Sequence, residues 1–256
     1  MTTARTNDPD FVLSLARGLR VIEAFNENPK GRSVSEIAVD AGLSRASVRR
    51  LLITLEQLGY AEHVGSVHRL TSRILRLGFS FLSSTSLASL AIPVLEQLTG
   101  RIHESCSVSV LDGGQIVYVA RSASARVMAV DLAVGSRLPA YCTSMGRVLL
   151  AALPPTDLTA FLKTTALKRL TLRTVATKSG LLKIVGEVRS QGYALVDEEL
   201  EIGLRSIAVP VRSESGRIVA AMNTGVHAAR VSRAELTNRI LPELRDHAGL
   251  LGRMLP

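Results

Sequence analysis

"DAGLSRASVRRLLITLEQLGYAEH", residues 40 to 63, joins a short glycine turn to a segment with one apolar face and one arginine-bearing face. Val48, Leu51, Leu52, Leu55 and Leu58 recur at the i, i+3, i+4, i+7 spacing of a single helix face. Ala46, Arg50, Ile53 and Gln57 point the opposite way, flanked by Ser47, Arg49 and Thr54. Ser44 stands where an N-cap belongs, its hydroxyl able to take an orphan backbone N–H, and Gly59 stands at the expected C-terminal stop. Just upstream, "SVSEIAVDAGLS" reads as a second short helix, capped by Ser33 or Ser35, with Ile37, Ala38 and Ala41 on its apolar side. Two helices joined by a tight glycine turn form the helix-turn-helix pattern.

Taken alone, a capped helix with arginines on its wet side is more often a solvated surface helix than a reader of bases. The flanking sequence changes the reading. "LARGLRVIEAF" supplies a third helix, with Leu15, Leu19, Ile22 and Phe25 expected in a shared core. "YAEHVGSVHRLT" reads as two short strands around Gly65-Ser66. Helix, helix, turn, helix and wing, in that order, predict a winged helix-turn-helix. In such docking the start of the second helix of the motif meets base edges. Ser44, Ala46, Ser47 and Arg50 are therefore expected nearest the major groove, with Thr54 on the same wet face. Arg45 and Arg49 suit phosphate or a flanking guanine, and Arg69 on the wing suits backbone or minor groove. Ile53, apolar on the wet side, fits either a thymine methyl or a subunit contact.

The chain has 256 residues and a formal net charge of +9, which favours an acidic partner such as double-stranded DNA but is also compatible with simple solubility. The expected organisation is a disordered arm over 1–10, the winged domain over 11–70, a linker helix over 71–86 and a second domain over 87–256. The linker, with Ile74, Leu75, Leu77, Phe79, Phe81 and Leu82 between Arg73 and Arg76, is too oily to run free in water. A second copy of the chain is one candidate to cover it. The two cysteines, Cys106 and Cys142, lack C-x-x-C spacing, which argues against a disulfide framework or a zinc site. The N-terminus lacks the apolar core of a signal peptide, and no apolar run is long enough to span a bilayer. A cytoplasmic protein is expected, with no membrane partner.

Beyond the linker, strands and helices mix. "CSVSVLDGGQIVYVARS" is a hairpin about Gly113-Gly114, and "YALVDEE" and "LRSIAVPVRSESGRIVAAMNTG" return to strands. "TSMGRVLLAAL", "TDLTAFLKTT", "KSGLLKIVGEVRSQG" and "SRAELTNRILPELRDHAGLLGRML" read as helices. Antiparallel hairpins with interspersed helices place the fold class as α+β.

Signs of catalysis are few. The five histidines show no metal-ligand spacing, and there is neither a P-loop nor a G-x-G-x-x-G after a strand. Asp197-Glu198-Glu199 reads as a solvated charge run. Cys142 beside Thr143 and Ser144 resembles a nucleophile only on paper; a lone cysteine before an apolar helix is usually a small buried residue. No catalytic residue, cofactor or metal is expected. "GSRLPAYCTSMGRVLLAAL" offers something else. Thr143 or Ser144 can cap its helix, leaving free N–H groups near Ser144, Met145 and Gly146 as an anion site suited to a carboxylate. An ordinary capped helix fits this segment equally well.

Together these stretches resemble the IclR family of bacterial transcriptional regulators over nearly the whole chain. "GLSRASVRRLLITLEQLGY" is similar to the family's recognition-helix pattern. "GSRLPAYCTSMGRVLLAAL" and "EELEIGLRSIAVPV" look like its two effector-domain signatures. The tyrosine of "LPAYCTSMGR" and the string "DEELEIGLRSIAVPV" look most like the branch controlling aromatic-acid catabolism, the β-ketoadipate pathway group. The resemblance implies a winged-helix domain, a linker helix and a GAF-like α+β effector domain. It also implies homodimers, often paired into tetramers, and a small carboxylate as effector. Carried over motif by motif, it implies ligand contacts from Thr143, Ser144 and Met145, from Arg205 and Ser206, and from Asn223 and Gly225, while the Tyr141 ring fits either the lining of a pocket for an aromatic acid or, at least as well, a buried core position. Tyr141 and Arg147 stand where family members often have His and Lys. Two rival readings remain open at this point: a GAF-like enzyme with a cysteine nucleophile, and a winged helix used for protein docking.

Overall fold

The protein is described from a computed structural model covering residues 10–28, 31–77, 86–124 and 132–256. The chain divides into two compact units, residues 2–84 and 85–256.

The smaller unit runs α1 (Leu13–Glu23), α2 (Val34–Ala41), α3 (Arg45–Gln57), β1 (Ala61–Val64) and β2 (Val67–Leu70). Its helix ends follow from the sequence. Ser33 and Glu36 form a reciprocal capping box, the Ser33 N–H donating to Glu36 Oε2 at 2.8 Å. Gly42, at φ +61°, ends α2 in the left-handed region, and the Leu43 N–H closes back on the Ala38 carbonyl at 3.0 Å. Ser44 then caps α3, accepting from the Ser47 N–H at 3.2 Å. A cap of this kind stabilises by about 1 kcal/mol, so the turn between the helices is set on both sides. Val21, Phe25, Ile37, Val48, Leu52 and Leu55 fill the core.

Three residues expected in that core are outside it. Leu15 is 63% exposed, Leu19 48% and Leu58 52%. At 100° per residue the Leu15–Leu19–Ile22 stripe lies on a different side of α1 from the buried Val21, and Ala24 and Phe25, buried with Val21, follow in the 3-10 turn Ala24–Glu27. Leu58 caps α3 at its C-terminal end, where the chain is already turning through Gly59. The wing pairs Ala61 with Leu70 and Val64 with Val67 across the Gly65-Ser66 turn, and Arg32 bridges to His68 on its other side. Thr71 caps a short 3-10 turn, Ser72–Ile74, at the start of the expected linker helix. The rest of that helix over 78–85, and the arm over 1–9, lie outside the described residues.

The larger unit is built on one antiparallel sheet of six strands in the order β5-β4-β3-β8-β7-β6. These strands are β3 (Cys106–Asp112), β4 (Gln115–Ser122), β5 (Arg137–Pro139), β6 (Ala194–Asp197), β7 (Leu204–Arg212) and β8 (Ile218–His227). α4 (Ser86–Ile102) and the closing helix α8 (Leu241–Gly252) cover one face. α5 (Ser144–Ala152), α6 (Pro155–Thr164) and α7 (Lys178–Gln191) cover the other. Two-residue alternation sorts the strands between these layers. Cys106, Val108, Ile207, Val209, Ala220 and Met222 face α4 and α8. Ser107, Ser109, Ser206, Ala208, Ala221 and Asn223 face the α5 side, and these are smaller and more polar. The first face is a solid core. The second leaves room.

Candidate effector cavity and DNA-facing helix

Each unit carries a candidate site. On α3, Ser44, Arg45, Ala46, Arg49, Arg50 and Thr54 are exposed and Ser47 is half-buried, as is Arg69 exposed on the wing. Ser44 and Ser47 share a hydroxyl hydrogen bond of 3.0 Å, and the Thr54 hydroxyl donates to the Arg50 carbonyl at 3.1 Å. No ion pair among the described residues engages Arg45, Arg49, Arg50 or Arg69. His68 Nδ1 lies 2.7 Å from Glu56 Oε1, which ties the wing to the back of α3. Four uncommitted guanidinium groups around a held helix start can meet an acidic surface without first breaking internal pairs.

In the larger unit, a cavity opens between the second sheet face and the N-terminal end of α5. Its open space, counted out into the solvent at its mouth, is about 620 Å³. Its floor is a row across three strands, Arg121, Ser107 and Asn223, register neighbours on β4, β3 and β8. A second row brings in Ser105, Gly225, Ser206 and Val196. Cys142, Thr143, Ser144 and Met145 form the roof, and Leu132, Leu138, Leu200 and Leu204 complete the apolar walls.

The roof is fixed closely. Thr143 Oγ1 accepts from the Gly146 N–H at 3.2 Å and donates to the Pro139 carbonyl at 3.0 Å. A Cβ on Gly146 would lie 2.1 Å from the Ala140 carbonyl oxygen, so only glycine lets α5 pack so near that turn. The Ser144 and Met145 N–H groups, first in the helix, have no intrahelical acceptor. The Ser144 hydroxyl is buried with no hydrogen-bond partner, and a buried polar group left so is costly unless something fills the space beside it. The Arg121 side chain has no hydrogen bond or ion pair to a described residue, and among the described residues the lining includes no Asp or Glu. A free guanidinium, an orphan hydroxyl and a helix N-terminus converge on one space, and all three favour an anion.

Six of the eight candidate ligand residues line this cavity: Thr143, Ser144, Met145, Ser206, Asn223 and Gly225. Tyr141 and Arg205 do not. The Tyr141 ring is in the core and its hydroxyl donates to the Lys168 carbonyl at 2.7 Å. Arg205 lies next to Ser206 on β7, so alternation turns it to the opposite face. There it pairs with Asp197 at 2.7 Å and donates to the Ala228 and Val231 carbonyls at 3.1 and 2.6 Å. The expected solvated run at 197–199 is corrected as well. Glu199 is 7% exposed and Arg147 2%, and they meet in a two-pronged ion pair, both contacts at 2.7 Å.

Sequence reasoning missed Arg121, and the reason is local. A regular hairpin about Gly113-Gly114 would set Arg121 opposite Cys106, on the face of α4. An irregularity between Val108 and Ser109 adds one residue to β4 and turns Arg121 to pair with Ser107, on the cavity side. Cys142 does reach the cavity, but burial pushes its thiol up to about 11. It is therefore protonated near neutral pH, which is wrong for a nucleophile. Burial likewise raises the Tyr118 phenol to about 12.

Known families match both units. The description "IclR helix-turn-helix domain" fits residues 14–65, and "Bacterial transcriptional regulator IclR C-terminal" fits residues 79–252. The chain belongs to the IclR family of bacterial transcriptional regulators. This IclR protein is 48% identical to the Pca regulon regulatory protein of Pseudomonas putida, over 94% of its own length and 83% of the relative's. It is 36% identical to the p-hydroxybenzoate hydroxylase transcriptional activator of Acinetobacter baylyi, over 96% and 93%. The crystal structure of an IclR homologue from Microbacterium hydrocarbonoxydans in complex with 4-hydroxybenzoate is similar at a TM-score of 0.79 and 25% identity, covering 93% of this chain and 97% of that one. The IclR chain is thus a transcriptional regulator and not an enzyme, with a helix-turn-helix region followed by an α+β domain. Among the described residues no helix is long and apolar enough to cross a membrane.

Proposed function

We propose that this regulator controls a catabolic operon from the cytoplasm. It does so by docking α3 in the major groove of operator DNA and binding a small carboxylate, an aromatic acid or β-ketoadipate-pathway metabolite, in the cavity under α5. The observation that carries the effector reading is that Arg121, whose side chain has no partner among the described residues, lines the same cavity as the buried, unpartnered Ser144 hydroxyl at the start of α5. The names of two relatives support the class: one regulates the Pca regulon, and another activates p-hydroxybenzoate hydroxylase. The ligand of the Microbacterium structure, 4-hydroxybenzoate, is itself such an acid. Thr143, Met145, Ser206, Asn223 and Gly225 complete the contacts. A thermal-shift and calorimetry screen of the full chain against protocatechuate, 4-hydroxybenzoate, β-ketoadipate and shikimate tests this. Absence of binding by all four acids would remove the effector reading.

On the DNA side, Ser44, Ala46, Ser47 and Arg50 face base edges, Arg45, Arg49 and Thr54 the flanking phosphates, and Arg69 the backbone or minor groove beside the wing. A two-pronged arginine–guanine contact discriminates by about 1–3 kcal/mol. Arg50→Ala is therefore expected to lose affinity for the matched operator and little for a scrambled one. Arg69→Ala should weaken both alike and flatten the salt dependence. Equal losses on both duplexes for Arg50→Ala would rule it out as a base reader.

The regulator works as a homodimer and as a dimer of dimers. The exposed Leu15 and Leu19 of α1, with Val12 just before it on the same side, support pairing through the smaller unit, since such a stripe otherwise stays in water. The functional domains are then residues 11–70 for DNA, 71–86 as the connection and 87–256 for the effector. The acid acts only through its differential affinity for the two arrangements of the dimer.

A further inference from the structure

Arg147 and Glu199 do not line the cavity, yet each is fastened to one of its walls. Arg147 Nε donates to the Tyr141 carbonyl at 3.0 Å, in the turn that presents Cys142, and its own helix presents Ser144 and Met145. Glu199 precedes Leu200, which lines another wall, and also accepts from the Val175 N–H at 2.9 Å. The backbone around Glu199 is gripped too. Thr171 and Thr174 donate to the carbonyls of Glu198 and Glu199, at 2.7 and 2.6 Å. Glu198 adopts φ +57°, a conformation uncommon for any residue but glycine, while its carboxylate takes the Gly203 N–H at 2.9 Å and pairs with Arg173 at 2.7 Å. The chain reverses there, sending Glu199 inward.

A buried ion pair adds little net stability over well-packed apolar residues. What this one adds is direction. Its two prongs, with the bonds to Tyr141 and Val175, allow one spacing between the roof and the Leu200 wall. We infer that the Arg147–Glu199 pair is a positioning device for the cavity, setting which acid fits rather than how stable the fold is. The inference rests on the cavity being the effector site.

The test uses the full chain, with calorimetry against the same four acids and melting curves in parallel. Arg147→Met/Glu199→Leu replaces the pair by apolar side chains. It should melt near the wild type, yet bind the preferred acid about tenfold or more weakly, the scale on which outer partners act at metal sites. Its preference among the acids should narrow. Arg147→Lys, which keeps the charge but not the fork, should fall between. Wild-type affinity and preference in the double variant would overturn the inference while leaving the effector reading intact. A double variant that melted as low as Arg147→Met alone would overturn it too, by making the pair structural. Failure of the wild type to bind any of the acids would remove the cavity reading and the positioning role together.

Discussion

Arg147→Met alone is expected to destabilise the larger unit by about 3–5 kcal/mol. The substitution leaves the Glu199 carboxylate buried, with, among the described residues, only the Val175 N–H to meet a full charge. It also strands the Tyr141 carbonyl, which accepts from Arg147 Nε. For a unit of this size each kcal/mol moves the melting temperature by roughly 2–4 °C, so a fall on the order of ten degrees follows. Adding Glu199→Leu should recover most of that loss, because the double change removes the unpaired charge along with its partner. Calorimetric melting of the two variants and of Glu199→Leu closes a double-mutant cycle. Additive losses would mean that the two side chains are not coupled, contrary to their shared geometry.

Arg121→Met should have the opposite profile. In the unliganded protein Arg121 has no ion pair to lose among the described residues, so stability should change by no more than about 0.5 kcal/mol. Acid binding should fall steeply. Removing the charged partner of a largely desolvated carboxylate costs about 2–5 kcal/mol, or roughly thirtyfold to several thousandfold in affinity at about 1.4 kcal/mol per decade. Titration of the acid into wild type and variant measures it, and operator binding without acid should be unchanged. An acid that bound Arg121→Met as tightly as the wild type would have its carboxylate held elsewhere, and the cavity floor would need another reading.

The DNA-facing unit was largely legible from residue spacing. Ser33 with Glu36, Gly42, Ser44 and Gly59 mark helix ends by local chemistry, and local chemistry needs no neighbours. The limit lies in α1, where the oiliest stripe of the sequence is not the buried one. Leu15 and Leu19 stay exposed because the neighbouring helices cover a different side, and which side is covered depends on packing. The roof of the cavity was legible for the same reason as the caps: Thr143, Ser144 and Met145 declare themselves as a helix start.

Arg205 and Ser206 show the boundary in two adjacent residues. Motif resemblance carried both to the ligand, but strand alternation sends one to Asp197 and the other to the cavity. The Glu199 carboxylate read as wet because three acids in a row usually are, and its partner Arg147 is 52 residues away in sequence. From its residues alone the chain specifies its α+β class, its capped helix-turn-helix and the helix end that roofs a cavity, since each depends on nearest neighbours. Which cation enters that site depends on one extra residue in β4, because a strand shifted by a single position exchanges its two faces, and only the pairing with β3 sets the shift.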